Sequence, residues 1–573
     1  MNTLSGGIFR LIGRAALGPR AWIGLALYAV VLGLEFLGVW VSVQMISWTR
    51  VFYDALEQFD VAAAVAQLWV FAGLVGLWAG AALFGQWVRD RLLLFWRERL
   101  TDAALQLWLG KAAYWHLRPG LSPAAVDNPD QRVAEDCRNF IRLLLVVSVD
   151  VITNIVALVS YVAILWNISD FALEFELFGA DVSIPRYMVW LAFIYVAGST
   201  LITHLLGKPL KGLVFRQERR EADFRHALVQ IRDNATEIAQ SRGEEAERKR
   251  LDRRFLAIKD NWNRLIGREF ILGLFTKPYY RSILRVPLFF ALPAYFARSV
   301  SFGGLMQLAS AFSSVATTLS WFIFNYRDLA EIAAVAQRLD DLFVNTADPK
   351  PLPGIPRAIR RRRSTGAGMS VDGLRLYTPD GKALAPVPDI RVEAGEHIWI
   401  SGFSGVGKTT LLSALSGLWP YGEGAIDMPA AGLLALPQVP RVFNESLAAA
   451  ICYPSDPSDV PETRLTEILM RVGMPHCLDR LALDGSEAVE GLSMGERQRL
   501  AIARLLIHEP TFVLLDEATS ALDIEAEAEL FALLREDLPN ATILCVAHRP
   551  PEALAPYRTW TIGHRTRIER KSA

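Results

Sequence analysis

The sequence predicts a membrane domain of six α-helices fused to a cytoplasmic α/β domain, and three observations carry that prediction. Of the 573 residues, 52% are hydrophobic, and 16 are Trp, which exceeds the usual apolar share of a soluble protein. Two long segments, Val61–Val88 and Ser299–Tyr326, contain no charged residue. Beyond Met369, short apolar strands such as His397–Ile400 and Thr542–Ala547 alternate with amphipathic helical segments.

The charge and cysteine content exclude several classes of protein. The chain has 60 Lys and Arg against 60 Asp and Glu, whereas nucleic-acid-binding domains normally carry a basic surplus, so we expect no nucleic-acid partner. The four cysteines are scattered and form no CxxC pair. This spacing excludes a disulfide framework and gives no zinc signature.

Six segments are predicted to cross the lipid bilayer. A membrane helix needs about 20 mostly apolar residues, and five segments meet or approach that length with at most one charge each. The fifth in chain order is weaker, because Arg285, Pro287 and Pro293 interrupt it, although membrane helices tolerate proline. The six segments are Ala21–Thr49, Val61–Val88, Leu143–Ser169, Tyr187–Gly207, Tyr280–Ala297 and Ser299–Tyr326.

The basic residues of the connections predict an orientation. Lys and Arg are abundant before the first span and in the connections between spans two and three and between spans four and five. The opposite connections, Thr49–Asp60 and Asp170–Arg186, have one Arg each. Because cytoplasmic loops carry the excess of Lys and Arg, both termini are predicted to be cytoplasmic. The first apolar run is too long for a cleavable signal peptide, and no A-x-A-like site follows it.

The composition also predicts the domain boundaries. Residues 1–345 are predicted to form the transmembrane domain with helical cytoplasmic extensions, 346–370 a linker, and 371–573 the soluble domain. The linker is rich in proline and contains the run Arg360–Arg363. Two interpretations of this run remain open: contact with anionic lipid head groups, or ordinary solvation.

A glycine-rich segment predicts a phosphate-binding loop. Gly402-Phe-Ser-Gly-Val-Gly-Lys-Thr409 matches G-x-x-x-x-G-K-[ST] between an apolar strand and the helical segment Leu411–Leu418, which is the context this motif requires. The backbone N–H groups of such a loop surround phosphates. Lys408 is predicted to reach the β- and γ-phosphates, and Thr409 to ligate Mg²⁺.

A second apolar strand, Phe512–Leu515, ends in two acids. Asp516 is predicted to hold the metal site, and Glu517 to polarise the attacking water. An apolar strand that ends in acids is common in α/β folds. Together with the phosphate-binding loop, it becomes specific for nucleotide hydrolysis.

The segment Leu492-Ser-Met-Gly-Glu-Arg-Gln-Arg499 resembles the signature segment of ABC-transporter ATPases, whose usual form is LSGGQ. Met494 departs from the usual glycine, whereas Ser493 and Gly495, which the family uses against the γ-phosphate, are retained. A soluble P-loop kinase or GTPase is excluded by this segment together with the membrane spans.

Other elements of that family appear in the expected order. Gln438 resembles the Q-loop glutamine, Ser520–Asp523 the D-loop, and His548 the switch histidine that orients the γ-phosphate. Tyr377 stands 31 residues before Lys408, about where the family stacks an aromatic ring on adenine, but Thr378 separates it from the proline that often follows directly.

The resemblance therefore implies ATP and Mg²⁺ as cofactors. It implies catalytic roles for Lys408, Glu517 and His548, and metal contact for Thr409, Gln438 and Asp516. The residues implied to bind the nucleotide are Tyr377, Gly402, Ser404, Gly405, Val406, Gly407, Lys408, Thr409, Thr410, Gln438, Ser493, Gly495 and Glu496. Because the family completes each ATP site with the signature segment of a second domain, one such domain in this chain implies a half-transporter that works as a dimer, most simply a homodimer.

The membrane domain carries a narrower resemblance, to peroxisomal-type (D-subfamily) half-transporters and to the bacterial SbmA/BacA group. It implies an exporter-type (type IV) fold in a bacterial inner membrane, used for uptake of peptides, including antimicrobial peptides, or of other bulky hydrophilic solutes. The BacA-like subgroup that keeps an ATPase domain is the nearest match. The segments that carry the resemblance are Asp127–Arg132 with Glu135-Asp136, Glu221–Arg225, Thr236–Glu244, Phe52–Leu56, Leu305–Gln307 and Ala311-Phe312.

Charged residues of the membrane domain give the substrate prediction some support. Glu35 lies in the middle of the first span, where an ionisable group must face a cavity or a partner; it is our candidate for the substrate cavity, and a structural hydrogen bond between helices is the alternative. The outer connections are acidic, which would attract cationic peptides, or they are acidic simply because they are solvated.

Two other functions remain open at this point. The first is an exporter or a lipid or acyl-CoA transporter of the same fold. The second is a proton-driven transporter in which ATP acts only as a regulatory switch.

Overall fold

A computed structural model describes most of the chain. The described residues are 2–118, 120–121, 128–177, 180–283, 285–321, 325–347, 356–364, 368–429, 432–440, 446–483, 489 and 491–563. Asp127, part of the predicted D-subfamily resemblance, and most of the proline-rich start of the predicted linker lie outside these residues. The chain divides into two units: a helical unit (Met1–Gln106 and Asn128–Phe343) and an α/β unit (Leu107–Asp127 and Val344–Ala573).

Long helices make up most of the chain before residue 348. Four of the described helical segments are long and apolar enough to cross a membrane, and they contain the first four predicted spans. Their apolar side chains are exposed in many places; Trp69 and Trp87, for example, are 78% and 55% exposed, as expected for residues that face lipid. The helices are α1 (Asn2–Ala16), α2 (Ala21–Glu57), α3 (Val61–Leu109), α4 (Ala113–His116), α5 (Pro129–Gln131), α6 (Cys137–Ile168), α7 (Tyr187–Asp233), α8 (Ala235–Gln240), α9 (Glu244–Ser282), α10 (Val286–Phe296), α11 (Phe302–Leu319) and α12 (Tyr326–Ala347).

The fifth and sixth predicted spans differ from the first four. The fifth falls on the end of α9 and on α10, which has only 11 residues and is about 17 Å long at the usual helical rise, against a hydrocarbon core of about 30 Å. The break between the two helices lies at Arg285, where the sequence also places a charge. The sixth span corresponds to α11, which has 18 residues.

The acidic residues of the connection between α2 and α3 cap helices. Asp54 accepts a hydrogen bond from the Gly303 backbone N–H (3.0 Å), and Glu57 accepts one from the Phe302 N–H (3.0 Å), both at the start of α11. Asp60 accepts one from Ala63 in the first turn of α3 (2.9 Å). These carboxylates complement the N–H groups that a helix start leaves unpaired, so the acids of this connection cap helices, and Glu57 and Asp60 also stay exposed to solvent.

An ion pair with a buried carboxylate and a half-exposed arginine fixes α12 within the helical unit. Asp136, which is 6% exposed, lies in a π-helical turn (Arg132–Asp136) before α6, and Arg338 donates to both of its oxygens at 2.6 and 2.8 Å. Arg132 donates to the Arg338 carbonyl at 3.0 Å. The predicted D-subfamily segment Asp127–Arg132 with Glu135-Asp136 thus contacts α12 through two of its residues.

We expect the variant Arg338→Ala to lower the free energy of unfolding by about 1–2 kcal/mol. Removing the partner of a buried carboxylate costs about 3–5 kcal/mol, and the smaller value follows because the Arg338 side chain is 45% exposed. The measurement is thermal unfolding of the full chain in detergent. The control is Arg248→Ala, which removes an exposed pair with Asp252 and should cost about 0.5 kcal/mol or less; equal losses in the two variants would contradict the expectation.

The α/β unit contains two sheets. Four pairings join a five-stranded parallel sheet in the order β11-β6-β10-β9-β8, and a four-stranded sheet has the order β3-β7-β4-β5. A short hairpin, β1–β2, lies in the connection between α6 and α7 of the helical unit. The strands are β1 (Ala172–Leu177), β2 (Ala180–Pro185), β3 (Arg357–Ser364), β4 (Met369–Leu376), β5 (Ile390–Val392), β6 (His397–Ser401), β7 (Gly422–Pro429), β8 (Leu433–Leu436), β9 (Phe512–Asp516), β10 (Thr542–Val546) and β11 (Tyr557–Thr561).

Strand β3 lies inside the segment 346–370 that the sequence predicts as a linker. It pairs in parallel with β7 over its full length, and Arg361 of its arginine run donates to the carbonyls of Ala414 and Trp419 at 2.5 and 3.0 Å. Burial lowers the pKa of this guanidinium. Two hydrogen bonds therefore hold Arg361 against the α/β unit, while its side chain keeps exposure to solvent.

The helices of the α/β unit connect its strands. They are α13 (Lys408–Leu415), α14 (Leu447–Cys452), α15 (Glu462–Arg471), α16 (Met494–His508) and α17 (Ile524–Asp537). The segment Leu107–Asp127, which the sequence assigns to the membrane domain, clusters with this unit instead. Within the unit, the Trp115 ring meets the Trp419 ring edge to face at 6.4 Å, and the Tyr421 hydroxyl donates to the Leu121 carbonyl.

Candidate nucleotide site

The phosphate-binding loop joins β6 to α13, as its sequence predicts. Gly405 and Gly407 have φ of 77° and 104°, in the left-handed region that favours glycine. The Lys408 ammonium group donates to the carbonyls of Gly402 and Phe403 at 2.8 and 3.3 Å. The loop therefore folds around the Lys408 side chain and leads directly into the N-terminus of α13, a favourable arrangement for binding phosphate.

Three further residues that are predicted to bind the nucleotide belong to this loop or to the helix that follows it. Ser404 is exposed, and Thr410 is half-buried in the first turn of α13. Val406 packs against the apolar core behind the loop.

An oxygen pair at the predicted metal position joins the loop to β9. The Thr409 hydroxyl donates to the Asp516 carboxylate at 3.2 Å, and burial raises the pKa of Asp516. Mg²⁺ is bound through a small number of oxygen ligands together with phosphate, so Thr409 and Asp516 fit this ion. A bound cation would also compensate the negative charge of the half-buried Asp516 carboxylate.

Glu517 is the centre of a polar cluster. Its carboxylate accepts a hydrogen bond from the Gln438 amide at 2.8 Å and lies 3.1 Å from Nε2 of His548. Its φ is 50°, a conformation that costs energy for a residue with a side chain. The Glu517 N–H donates to the Val546 carbonyl at 2.9 Å, which ties the strained residue to β10.

The topology explains why these side chains meet. Gln438, Glu517 and His548 follow the carboxyl ends of β8, β9 and β10, and the phosphate-binding loop follows β6. These strands are neighbours in one parallel sheet, and ligands of α/β folds bind at that edge. The structure places Gln438 against Glu517, and its predicted contact with the metal stays a prediction.

The signature segment begins α16. Ser493 and Glu496 form a reciprocal capping box, in which each side chain bonds the other residue's backbone N–H. Gly495 lies next to Leu522 and Ala521, at the predicted D-loop. Among the described residues, no hydrogen bond joins Ser493, Gly495 or Glu496 to the phosphate-binding loop of the same chain.

Gln498 is a positioning residue that the motif analysis did not single out. Its side chain is fully buried, accepts from the Ala521 N–H at 2.9 Å, and donates toward the Gln438 carbonyl and the Ser520 hydroxyl at 3.4 and 3.3 Å. It therefore connects the signature helix with the Q-loop and D-loop segments. The sequence feature that could have indicated this role is the position of Gln498 within the signature segment Leu492–Arg499.

Tyr377, predicted to stack on adenine, is held at the end of β4. Its hydroxyl donates to Glu423 at 3.0 Å, which raises the pKa of the phenol, and its carbonyl accepts from the Trp419 indole N–H at 3.0 Å. The first contact holds the ring, and the second holds the backbone, just beyond the end of β4. Stacking on the base stays a prediction.

Glu35, the candidate for the substrate cavity, forms an ion pair with Arg89 between α2 and α3. This contact supplies the partner that a charge within a span requires. Both side chains keep some exposure, 36% for Glu35 and 26% for Arg89. A role in a cavity stays a prediction.

Comparison with known proteins identifies the family. The model of the ABC transporter family matches residues 388–520, and that of ABC transporter transmembrane region 2 matches residues 12–296. The inner membrane ABC transporter ATP-binding protein YddA of Escherichia coli is 34% identical over 92% of this chain and 91% of its own length. The chain belongs to the ABC transporter family.

Relatives from the D family are more distant. ABC transporter D family member 2, chloroplastic, of Arabidopsis thaliana is 29% identical over 92% of this chain and 80% of its own length. The human lysosomal cobalamin transporter ABCD4 is 28% identical over 80% of this chain and 78% of its own length. The chain is thus an ABC half-transporter related to the D family, with a membrane region fused to an ABC ATPase that binds ATP and couples its hydrolysis to transport.

Proposed function

We propose that this half-transporter acts as a homodimer in a bacterial inner membrane and uses ATP to import peptides or other bulky hydrophilic solutes. The observation that carries the proposal is the polar cluster of Gln438, Glu517 and His548 beside the Thr409–Asp516 oxygen pair. This arrangement supports a metal site and a group that polarises water, which are the parts that ATP hydrolysis needs.

The signature segment supports the homodimer. Ser493 and Glu496 bond one another, and Gly495 between them lies next to the D-loop segment. A second copy would bring its own signature segment to that loop and complete two equivalent ATP sites. A two-fold symmetric pair of this kind is the commonest form of homo-oligomer.

The membrane topology is part of the proposal. We infer six spans in an exporter-type fold, in which α11 and the interrupted α9–α10 pair supply the last two. The uneven distribution of Lys and Arg supports a cytoplasmic position for both termini, and the relative from Escherichia coli is named as an inner membrane protein.

Import of a bulky hydrophilic solute rests on two kinds of support. Relatives include proteins named as lysosomal cobalamin transporters, and cobalamin is a bulky solute. The second support is the resemblance of the membrane segments to the SbmA/BacA-like group, whose members admit peptides. The Glu35–Arg89 pair supplies a polar group inside the membrane region.

The sensitivity of cells to toxic compounds tests the direction of transport. A strain that lacks this gene receives an empty vector, the wild-type gene or a Glu517→Gln variant, and its growth is measured with bleomycin and with a proline-rich peptide. We expect wild type alone to increase sensitivity, because import admits the toxic compound. Increased resistance on expression would contradict import and indicate export.

A further inference from the structure

A group of three metal-binding side chains lies beside the signature segment. His476, Cys477 and Glu496 each offer one ligand atom, and these atoms all lie within 4.8 Å of one another. His476 and Cys477 belong to a short 3₁₀ helix, Pro475–Ala482, and Glu496 to the first turn of α16. It is the one such group found among the described residues. The nucleotide site uses neither His476 nor Cys477.

We propose that this group is a zinc-binding site. A nitrogen, a sulfur and a carboxylate oxygen form a ligand set typical of Zn²⁺, and three protein ligands leave a fourth position for water. Mg²⁺ prefers oxygen ligands, so the ion that accompanies ATP does not compete for this site. Ligands around a tetrahedral zinc lie roughly 3.3–3.8 Å apart, so His476 and Glu496, which are 2.7 Å apart, would separate slightly to admit the ion.

Hydrogen bonds from Ser493 orient the Glu496 carboxylate for metal binding. Its Oε2 accepts from the Ser493 N–H and from the Ser493 hydroxyl, both at 2.8 Å, which leaves Oε1 turned toward His476 at 2.7 Å. Such secondary hydrogen bonds orient metal-binding carboxylates.

The three ligands differ in their exposure to solvent. The side chains of His476 and Glu496 are 56% and 27% exposed, which gives the ion a path from solvent, whereas Cys477 is fully buried and lies behind them. On binding, the Cys477 thiol loses its proton to water as its sulfur bonds to the metal. Zinc replaces the direct His476–Glu496 hydrogen bond with two coordinate bonds.

The site lies where an ion can influence ATP hydrolysis. The Ser493 hydroxyl donates to Glu496, and under the proposed function Ser493 acts on the γ-phosphate bound by the second copy. Zinc on Oε1 fixes Glu496 and therefore keeps Ser493 in its capping position. We expect zinc to slow ATP hydrolysis; this consequence rests on the proposed function, whereas zinc binding does not.

Binding is tested with Co²⁺ as a spectroscopic substitute for zinc. Titration of the purified full-length protein in detergent should give a cobalt–thiolate absorption band, which Zn²⁺ then removes by displacement. We expect Cys477→Ala to abolish the band and weaken metal binding on the order of 100-fold, while Cys452→Ala, which removes another buried thiol, leaves it unchanged. Absence of the band in wild type, or its persistence in Cys477→Ala, would overturn the proposal.

Inhibition is tested separately by ATP hydrolysis with and without Zn²⁺. We expect zinc to lower the rate in wild type and in Cys452→Ala, and to have a much smaller effect in Cys477→Ala and His476→Gln. Equal inhibition in all four proteins would overturn the regulatory role. Failure of the proposed homodimer would leave zinc without effect on ATP hydrolysis in all four proteins, and the cobalt band would still decide the metal site.

Discussion

Replacing Glu517 by Gln is expected to lower kcat for ATP hydrolysis by about 10²–10⁴-fold, the usual contribution of a positioned general base. The Glu517 carboxylate lies between the Gln438 amide and the His548 ring, and an amide of the same shape cannot accept a proton from water. Binding of ATP should persist, because Lys408 and the phosphate-binding loop are unchanged. Phosphate release and nucleotide affinity, measured on the same preparation, separate the two effects.

Glu525→Gln is the matched control for this variant. Glu525 is an exposed acid in the first turn of α17, and its replacement should leave the rate unchanged. If Glu517→Gln retains activity within tenfold of wild type, Glu517 is not the group that activates water.

Replacing Gly303 by Ala is expected to lower the stability of the helical unit by more than Arg338→Ala does. A Cβ atom at this position would overlap the Arg50 carbonyl oxygen and the Asp54 carboxylate, whose carbon would lie 2.7 Å away. Overpacking costs about 1–3 kcal/mol, and a lost hydrogen bond from the Gly303 N–H to the charged Asp54 costs about 1.5–3 kcal/mol more. We therefore expect a total loss of about 3 kcal/mol or more.

The detergent-purified protein is heated and then passed through a size-exclusion column. The measurement is the temperature at which the height of the monodisperse peak falls to half. Gly33→Ala in α2 is the control, because a Cβ there meets nothing within 4 Å and alanine favours a helix by about 1 kcal/mol over glycine. The Gly33 variant should be as stable as wild type or more so. Equal stability of the two variants would show that α11 does not approach α2 at Gly303 as described.

The sequence predicts the parts of the fold that contiguous residues encode. An uncharged run such as Val61–Val88 has few structural alternatives to a membrane helix, and the motifs around Lys408 and Glu517 stand at strand ends whose apolar character is plain. Because neighbouring parallel strands end at one edge of a sheet, the polar cluster at that edge follows from the motifs and the topology together.

Contacts between distant segments were not predictable in the same way. Strand β3 is a run of arginines without an apolar pattern, and only its pairing with β7 makes it a strand. Asp54 and Glu57 indicate a solvated loop until α11, about 245 residues later, is placed beside them. The zinc ligands come from two separate segments, so no fixed spacing of the kind that defines a zinc motif marks them.

Transport by purified protein in liposomes tests the central claim most directly. The liposomes are loaded with a labelled proline-rich peptide, and ATP with Mg²⁺ is added outside, where it reaches only proteins whose ATPase units face outward. For these proteins import corresponds to release of the peptide from the lumen. We expect ATP-dependent release by wild type that a protonophore does not affect, and none by Glu517→Gln. Release that requires an imposed proton gradient and persists in Glu517→Gln would contradict an ATP-driven importer.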